Sequence, residues 1–158
     1  MQKNKGFSLI ELLIVVAIIL IIAAMAVPSF LHSRMAANEA AAVAALRTLN
    51  TAEISYSSAY PTVGFSSTLT ALSGTSCTPP DSTQACLIDS ALASGQKSGY
   101  NFVLTNVTGT PNSTYNVIAS PTLFNYSGVE YYCSFADAVV RVSPTSITTC
   151  DNTVTPQN

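Results

Sequence analysis

The strongest constraint on this chain is an unbroken apolar run near its N-terminus. From Leu12 to Val27 every residue is Leu, Ile, Val, Ala or Met, and between Phe7 and Val27 the only polar side chains are Ser8 and Glu11. A bilayer core takes about 20 apolar residues in a helix, so residues 7–27 are predicted to form a helix just long enough to span one. Glu11 separates this segment from an ordinary anchor. An acid inside a membrane helix costs roughly 2.5–3.5 kcal/mol on insertion scales, so it implies a role and a cationic partner.

Gly6 sits between a short basic leader, with Lys3 and Lys5, and the apolar run. Cutting after Gly6 would free an α-amino group on Phe7, one helical turn before the Glu11 carboxylate. Pairing within one helix merely neutralises the acid. Pairing with the Glu11 of a neighbouring copy fixes the axial register between two helices, and register is the best-attested use of a buried charge.

The stretch Lys5-Gly6-Phe7-Ser8-Leu9-Ile10-Glu11-Leu12 resembles the cleavage and methylation site of type IV prepilins and their pseudopilin relatives. The resemblance covers the leader and the helix to about Ala59; beyond that it is one of layout. It implies that residues 1–6 are a leader removed by a dedicated prepilin peptidase between Gly6 and Phe7, and that Phe7 is N-methylated. It implies that Glu11 then pairs with the Phe7 amine of an adjacent subunit in a helical homopolymer. The precursor would sit in the bacterial inner membrane until an assembly platform there passes it into an extracellular pilus. Two other readings fit part of the segment. One is a cleaved secretory signal ending at Ala24-Met25-Ala26, for which the apolar region is long and Glu11 misplaced. The other is a plain single-pass anchor. The mass of the mature N-terminus separates all three.

One domain is the expectation for 158 residues. Only 9% of residues are charged, against roughly 25% in ordinary soluble domains. Losing Lys3 and Lys5 leaves Arg34, Arg47, Lys97 and Arg141 against eight acids, a side-chain sum of about −4. No basic patch is available to neutralise nucleic-acid phosphates, so no direct nucleic-acid binding is expected. Cys77, Cys86, Cys133 and Cys150 all follow the apolar segment. Four cysteines allow three pairings, and export carries them to a compartment where disulfides persist. Sequential pairing, Cys77–Cys86 and Cys133–Cys150, closes the shortest loops and is the expectation. The second bridge also resembles the one that closes a surface loop near the C-terminus of many type IV pilins.

Along the chain, residues 7–60 read as one long helix, membrane-embedded over 7–27 and amphipathic over 28–60. Pro28 lacks an N–H and its ring crowds the preceding turn, so it should kink or break the helix. The family resemblance implies a locally unwound segment there in assembled filaments. Extensibility under pull and a bend at the membrane exit both fit. Val43, Leu46, Leu49, Ile54 and Tyr56 recur near helical spacing as a packed face, with Arg34, Asn38, Glu39 and Arg47 on the surface. Phe30, Tyr56 and Tyr60 read as packing residues and His32 as a solvated one. Residues 61–99 read as a variable loop region with helical turns near Ser67–Ser73 and Asp89–Ser94. From Tyr100 the period switches to two, giving strands near Tyr100–Thr105, Tyr115–Ala119, Val129–Phe135 and Ala138–Val142. Short connections make them antiparallel, with one face packed and one wet.

The predicted fold is therefore α+β: a long N-terminal helix whose second half packs on a four-stranded antiparallel sheet spanning residues 100–158. No Ser/His/Asp or Cys/His constellation can be drawn, and the only histidine is His32. No Cys-x2-Cys pair marks a zinc site, no Gly-rich phosphate loop occurs, and the acids near Asp151-Asn152 are too few for calcium. Neither enzyme, cofactor nor metal is expected. The function the family resemblance implies is a structural pilus subunit serving adhesion, twitching motility or DNA uptake. A pseudopilin of a type II secretion system remains open, as does a minor tip-located adhesin acting through Pro61–Gly99 or Cys133–Cys150.

Overall fold

A computed structural model describes residues 6–75 and 77–157. The predicted leader, apart from Gly6, lies outside the described residues. Two compact units are formed, one ending at Arg34 and one starting at Met35, and the first helix contributes to both.

That helix, α1, runs from Leu9 to Ala59. Ser8 precedes it as the cap, and the Ser8 N–H donates to Glu11 Oε2 at 2.9 Å. This is the reach-back half of a capping box, in which the third helical residue satisfies the cap's own N–H. Helical backbone continues through Pro28, although the missing N–H leaves the Ala24 carbonyl without its usual i→i−4 donor. Tyr60 still donates its N–H to the Tyr56 carbonyl at 2.9 Å, and Pro61 then forbids continuation, because a residue before proline is pushed out of helical backbone.

Within the second unit, α1 buries Ala42, Val43, Ala45, Leu46, Leu49, Ala52 and Tyr56 along one stripe. Ile54, expected on this stripe, is instead 51% exposed, and Phe30 in the first unit is 67% exposed. A one-position drift explains Ile54: it follows the buried Glu53 and falls about 100° round the helix from it. Small Ala side chains let the sheet approach closely, and Tyr100, Phe102, Tyr115, Val117, Ala119 and Tyr132 complete the core.

The sheet has six strands, not four. In chain order, which is also spatial order, they are β1 (Gln96–Lys97), β2 (Tyr100–Gly109), β3 (Asn112–Pro121), β4 (Tyr131–Phe135), β5 (Arg141–Ser143) and β6 (Thr155–Pro156). Every neighbouring pair is antiparallel. The two unexpected strands have two residues each, too short to carry a period-two pattern, and only pairing to a neighbour defines them. The second face is not simply wet either. Cys133, Ile147 and Cys150 form a separate buried cluster with Ile118, Tyr131, Phe135 and Val154 beside it, so the C-terminal segment covers part of that face.

Between α1 and the sheet lie two short helices. In α2 (Leu69–Leu72) the Thr68 hydroxyl caps the Ala71 N–H, and in α3 (Ser90–Ala93) the Asp89 carboxylate caps the Leu92 N–H. The connection out of α1 is held by a buried acid: Glu53 Oε2 accepts from the Ser66 N–H at 2.8 Å and Oε1 from the Ser66 hydroxyl at 2.6 Å. Burial lifts the Glu53 carboxyl above its ordinary value, and the two bonds from Ser66 only partly oppose that.

The folded state therefore binds the Glu53 proton more tightly than the unfolded chain does. Stability contributed by this group is largest below the ordinary carboxylate range and is lost as pH rises through the raised value. Glu53→Gln, which keeps one acceptor for the Ser66 N–H, should flatten that pH dependence in unfolding of the full chain in detergent, followed by circular dichroism. Glu53→Ala should cost about 1–3 kcal/mol at low pH, because it leaves a buried N–H unpaired, and less at higher pH, where the wild type holds a buried charge.

Candidate assembly segment

The chemistry-bearing positions of the N-terminal segment lie within one turn of the start of α1. Gly6, Phe7 and Ser8 are non-helical and exposed. The Gly6–Phe7 peptide bond thus lies in backbone that an enzyme can bind extended, without first unwinding a helix. The Glu11 carboxylate faces back toward this stretch through its bond to the Ser8 N–H. An anion in a first helical turn is favoured by the unpaired N–H groups there. One hydrogen bond does not saturate a carboxylate, which has about four acceptor sites. Glu11 can therefore hold the cap and still accept a further donor or cation.

Beyond Glu11 the helix offers no polar surface as far as Pro28. Leu12, Ile18, Ile19, Leu20, Ile21 and Met25 are all more than half exposed, and no part of the most apolar stretch is buried inside the unit. By length and composition the segment can cross a membrane. In water such a surface needs a lipid or protein cover. His32 is exposed on the same helix.

The structure joins Cys77 to Cys86 and Cys133 to Cys150. The first bridge closes the Pro-rich turn after α2. The second ties the C-terminal segment to β4, and a buried arginine reinforces it. Arg141 donates to Asp137 at 2.6 and 3.1 Å, to the Val139 carbonyl at 3.0 Å and to Asn152 Oδ1 at 2.9 Å. Its guanidinium lies 4.3 Å from the centre of the Phe135 ring. Burial raises the Asp137 carboxyl, but hydrogen bonds from Arg141 and the Val139 N–H outweigh it and leave the group below its ordinary value. Asn116 Nδ2 adds a buried bond to the Cys150 carbonyl at 3.0 Å. Asp151 and Asn152 are already engaged, by Thr153 and Arg141 respectively. Among the described residues, no group of three or more His, Cys, Asp or Glu side chains is placed to hold a metal ion.

Sequence reasoning missed a set of polar ties from α1. Asn38 and Glu39, expected on the surface, hold the connection between β3 and β4. Asn38 Nδ2 donates to the Ser127 carbonyl at 2.9 Å, while Glu39 Oε1 accepts from the N–H groups of Val129 at 2.8 Å and Glu130 at 3.3 Å. Further along, Asn50 donates to the Ala138 carbonyl and accepts from the Tyr115 hydroxyl. A signal was present: Asn is a poor residue for a helix interior, and two of them in an Ala-rich helix call for partners.

Residues 1–27 match the family described as "Prokaryotic N-terminal methylation motif". The chain is 46% identical over 54 residues to the type IV major pilin protein PilA of Myxococcus xanthus, a stretch covering 34% of this chain and 24% of that protein. It is 52% identical over 46 residues to the type IV wide pilus major component PilA4 of Thermus thermophilus, covering 29% of this chain and 35% of the relative. The matched stretches thus span about a quarter and a third of those relatives' own lengths. No solved structure matches significantly.

The two bridges close loops with sequence separations of 9 and 17. Replacing both Cys133 and Cys150 by Ser should lower unfolding stability by roughly 3 kcal/mol, and the Cys77/Cys86 pair by slightly less, as loop-closure entropy grows with length. Denaturant unfolding of the detergent-solubilised variants checks both the size and the order.

Proposed function

We propose that this chain, which carries a prokaryotic N-terminal methylation motif in its first 27 residues, is a structural subunit that polymerises through α1 into a type IV pilus. The observation that carries the reading is the pairing of a long, wholly exposed apolar helix with one acid at its first turn. In the precursor, the apolar segment sits in the inner membrane. A prepilin peptidase cuts the exposed Gly6–Phe7 bond, and the released Phe7 amine is methylated. An assembly platform draws the subunit out of lipid, and the same apolar surface is covered again by copies of itself. Buried area is conserved between the two states, so the helix exchanges one apolar solvent for another at little hydrophobic cost.

Register in the polymer is set by charge. Glu11 meets the Phe7 amine of an adjacent subunit, and only one axial offset brings the two together. Misaligned helices would leave both charges buried and unpaired, which costs several kcal/mol per ion, of the order found when a buried pair is broken. The disulfide-closed C-terminal region and the connection over residues 61–99 supply variable surface for adhesion. The relatives named above are described as major components, which supports an abundant subunit over a secretion pseudopilin or a minor tip adhesin.

Sheared surface filaments analysed by mass spectrometry should contain this chain in abundance, beginning at a methylated Phe7. A mature chain beginning at Ala26 or Val27 would refute the proposal. Two substitutions at one position separate the cap from the charge. Glu11→Gln retains an acceptor for the Ser8 N–H, as a capping box allows, but cannot pair with an amine. Glu11→Ala loses both. Each should insert in the membrane normally and give few or no filaments, with helix content reduced only in Glu11→Ala. Normal filaments from Glu11→Gln would show that the acid serves the helix start alone.

A further inference from the structure

The second unit presents an uncharged apolar loop that its core does not use. Between β3 and β4, Leu123, Phe124 and Tyr126 are exposed by 61%, 53% and 51%, and residues 121–129 carry no charged side chain. The loop backbone is held in place. The Ser127 hydroxyl accepts from the Leu123 N–H at 3.0 Å, and the Ser127 N–H donates to the Leu123 carbonyl at 2.8 Å. Phe124 stacks on Tyr131 with ring centres 6.2 Å apart. Asn38 donates to the Ser127 carbonyl and Glu39 accepts from the Val129 N–H. The loop is thereby fastened to the first turn of α1 in the second unit, which starts at Met35.

Chain length keeps that turn close to the membrane. The 20 residues 12–31 carry no charged side chain, and a helix of this length rises about 30 Å, the thickness of a hydrocarbon core. Phe30 is exposed and extends the apolar surface past Pro28. Asn38 follows Leu31 by seven residues of unbroken helix, about 10 Å. A bend between the units shortens that distance and cannot lengthen it. Headgroups occupy about 5–7 Å on each side of the hydrocarbon, so the gap that remains is shorter than a Leu or Phe side chain.

The side chains suit that layer. Aromatic rings with a polar end collect at membrane interfaces, and Leu123, Phe124 and Tyr126 offer apolar bodies with no charge to desolvate. The acids flanking the loop, Glu39 and Glu130, limit its depth, since a carboxylate resists transfer out of water. Contact is therefore shallow. Because α1 already tethers the unit to the bilayer, docking of the loop loses little of the translational freedom that a free protein gives up.

We propose that, in the membrane-held precursor, residues 123–126 insert among the headgroups of the leaflet from which α1 emerges, giving the sheet-bearing unit a second hold on lipid. This rests on the precursor reading above and names a lipid-facing surface for it. Extraction into a filament then has to free this loop as well as the apolar helix.

The chain has no tryptophan, so one introduced at a time reports its own surroundings. Full-length Phe124→Trp and Leu123→Trp, reconstituted in phosphatidylcholine vesicles, should each give blue-shifted emission. Lipids brominated near the headgroup should quench it more than lipids brominated near the chain end. Ile54→Trp, exposed on α1 about 35 Å along the helix beyond Leu31, should emit as in water and escape quenching. Adding Leu123→Asp to Phe124→Trp should lower the ratio of docked to free loop about tenfold or more, the effect of no longer burying one large apolar side chain. Water-like emission from positions 123 and 124, in protein that floats with the vesicles, would overturn the contact and leave the membrane anchor standing. So would a blue shift without quenching, which means that another copy covers the loop, or equal quenching at position 54. Protein that does not float with the vesicles would overturn both.

Discussion

One surface governs the molecule: the side chains of α1 from Leu12 to Val27, none of which the fold covers. Hydrophobic burial scales with apolar area removed from water, and among the described residues the first unit has no second element with which to remove it. Its stable surroundings are therefore lipid or other apolar helices. A single acid at Glu11 limits this freedom, because an anion in either setting demands a partner. The cap bond to Ser8 satisfies part of that demand within the chain. The remaining acceptor sites of the carboxylate stay open to a further donor or cation.

In the second unit the same helix changes character. Ala42 to Tyr56 presents a stripe that the sheet covers, and the helix is fastened by polar bonds as well as by packing. Asn38 and Glu39 reach the β3–β4 connection, Asn50 reaches both β3 and the turn before β5, and Glu53 reaches the chain after α1. Apolar contact is non-directional, whereas these bonds accept only one placement of sheet on helix. Loops that would otherwise wander are thereby made parts of one body. The Cys133–Cys150 bridge and Arg141 do the same for the C-terminal segment.

Much of the architecture was legible from residue order. The helix from Phe7 to about Ala59 could be read from composition and Pro61, and the central strands from alternation after Tyr100. The edges were not. Gln96–Lys97 and Thr155–Pro156 are strands only because β2 and β5 lie beside them. The same limit explains Asn38 and Glu39. A polar residue on a helix reads as solvated until the sequence-distant Ser127 and Val129 are brought to it.

What the sequence determined by itself is local and one-dimensional: an apolar length matched to a bilayer, an acid one turn inside it, a glycine before a phenylalanine, and the periods of helix and strand. These follow from rise per residue and from the cost of moving groups out of water, neither of which needs a fold to evaluate. Tertiary structure alone decided which polar groups become buried partners, which apolar ones stay outside, and that part of the sheet's second face is covered. Those outcomes depend on residues some 90 positions apart meeting at hydrogen-bond distance, and separation along the chain carries no record of proximity in space.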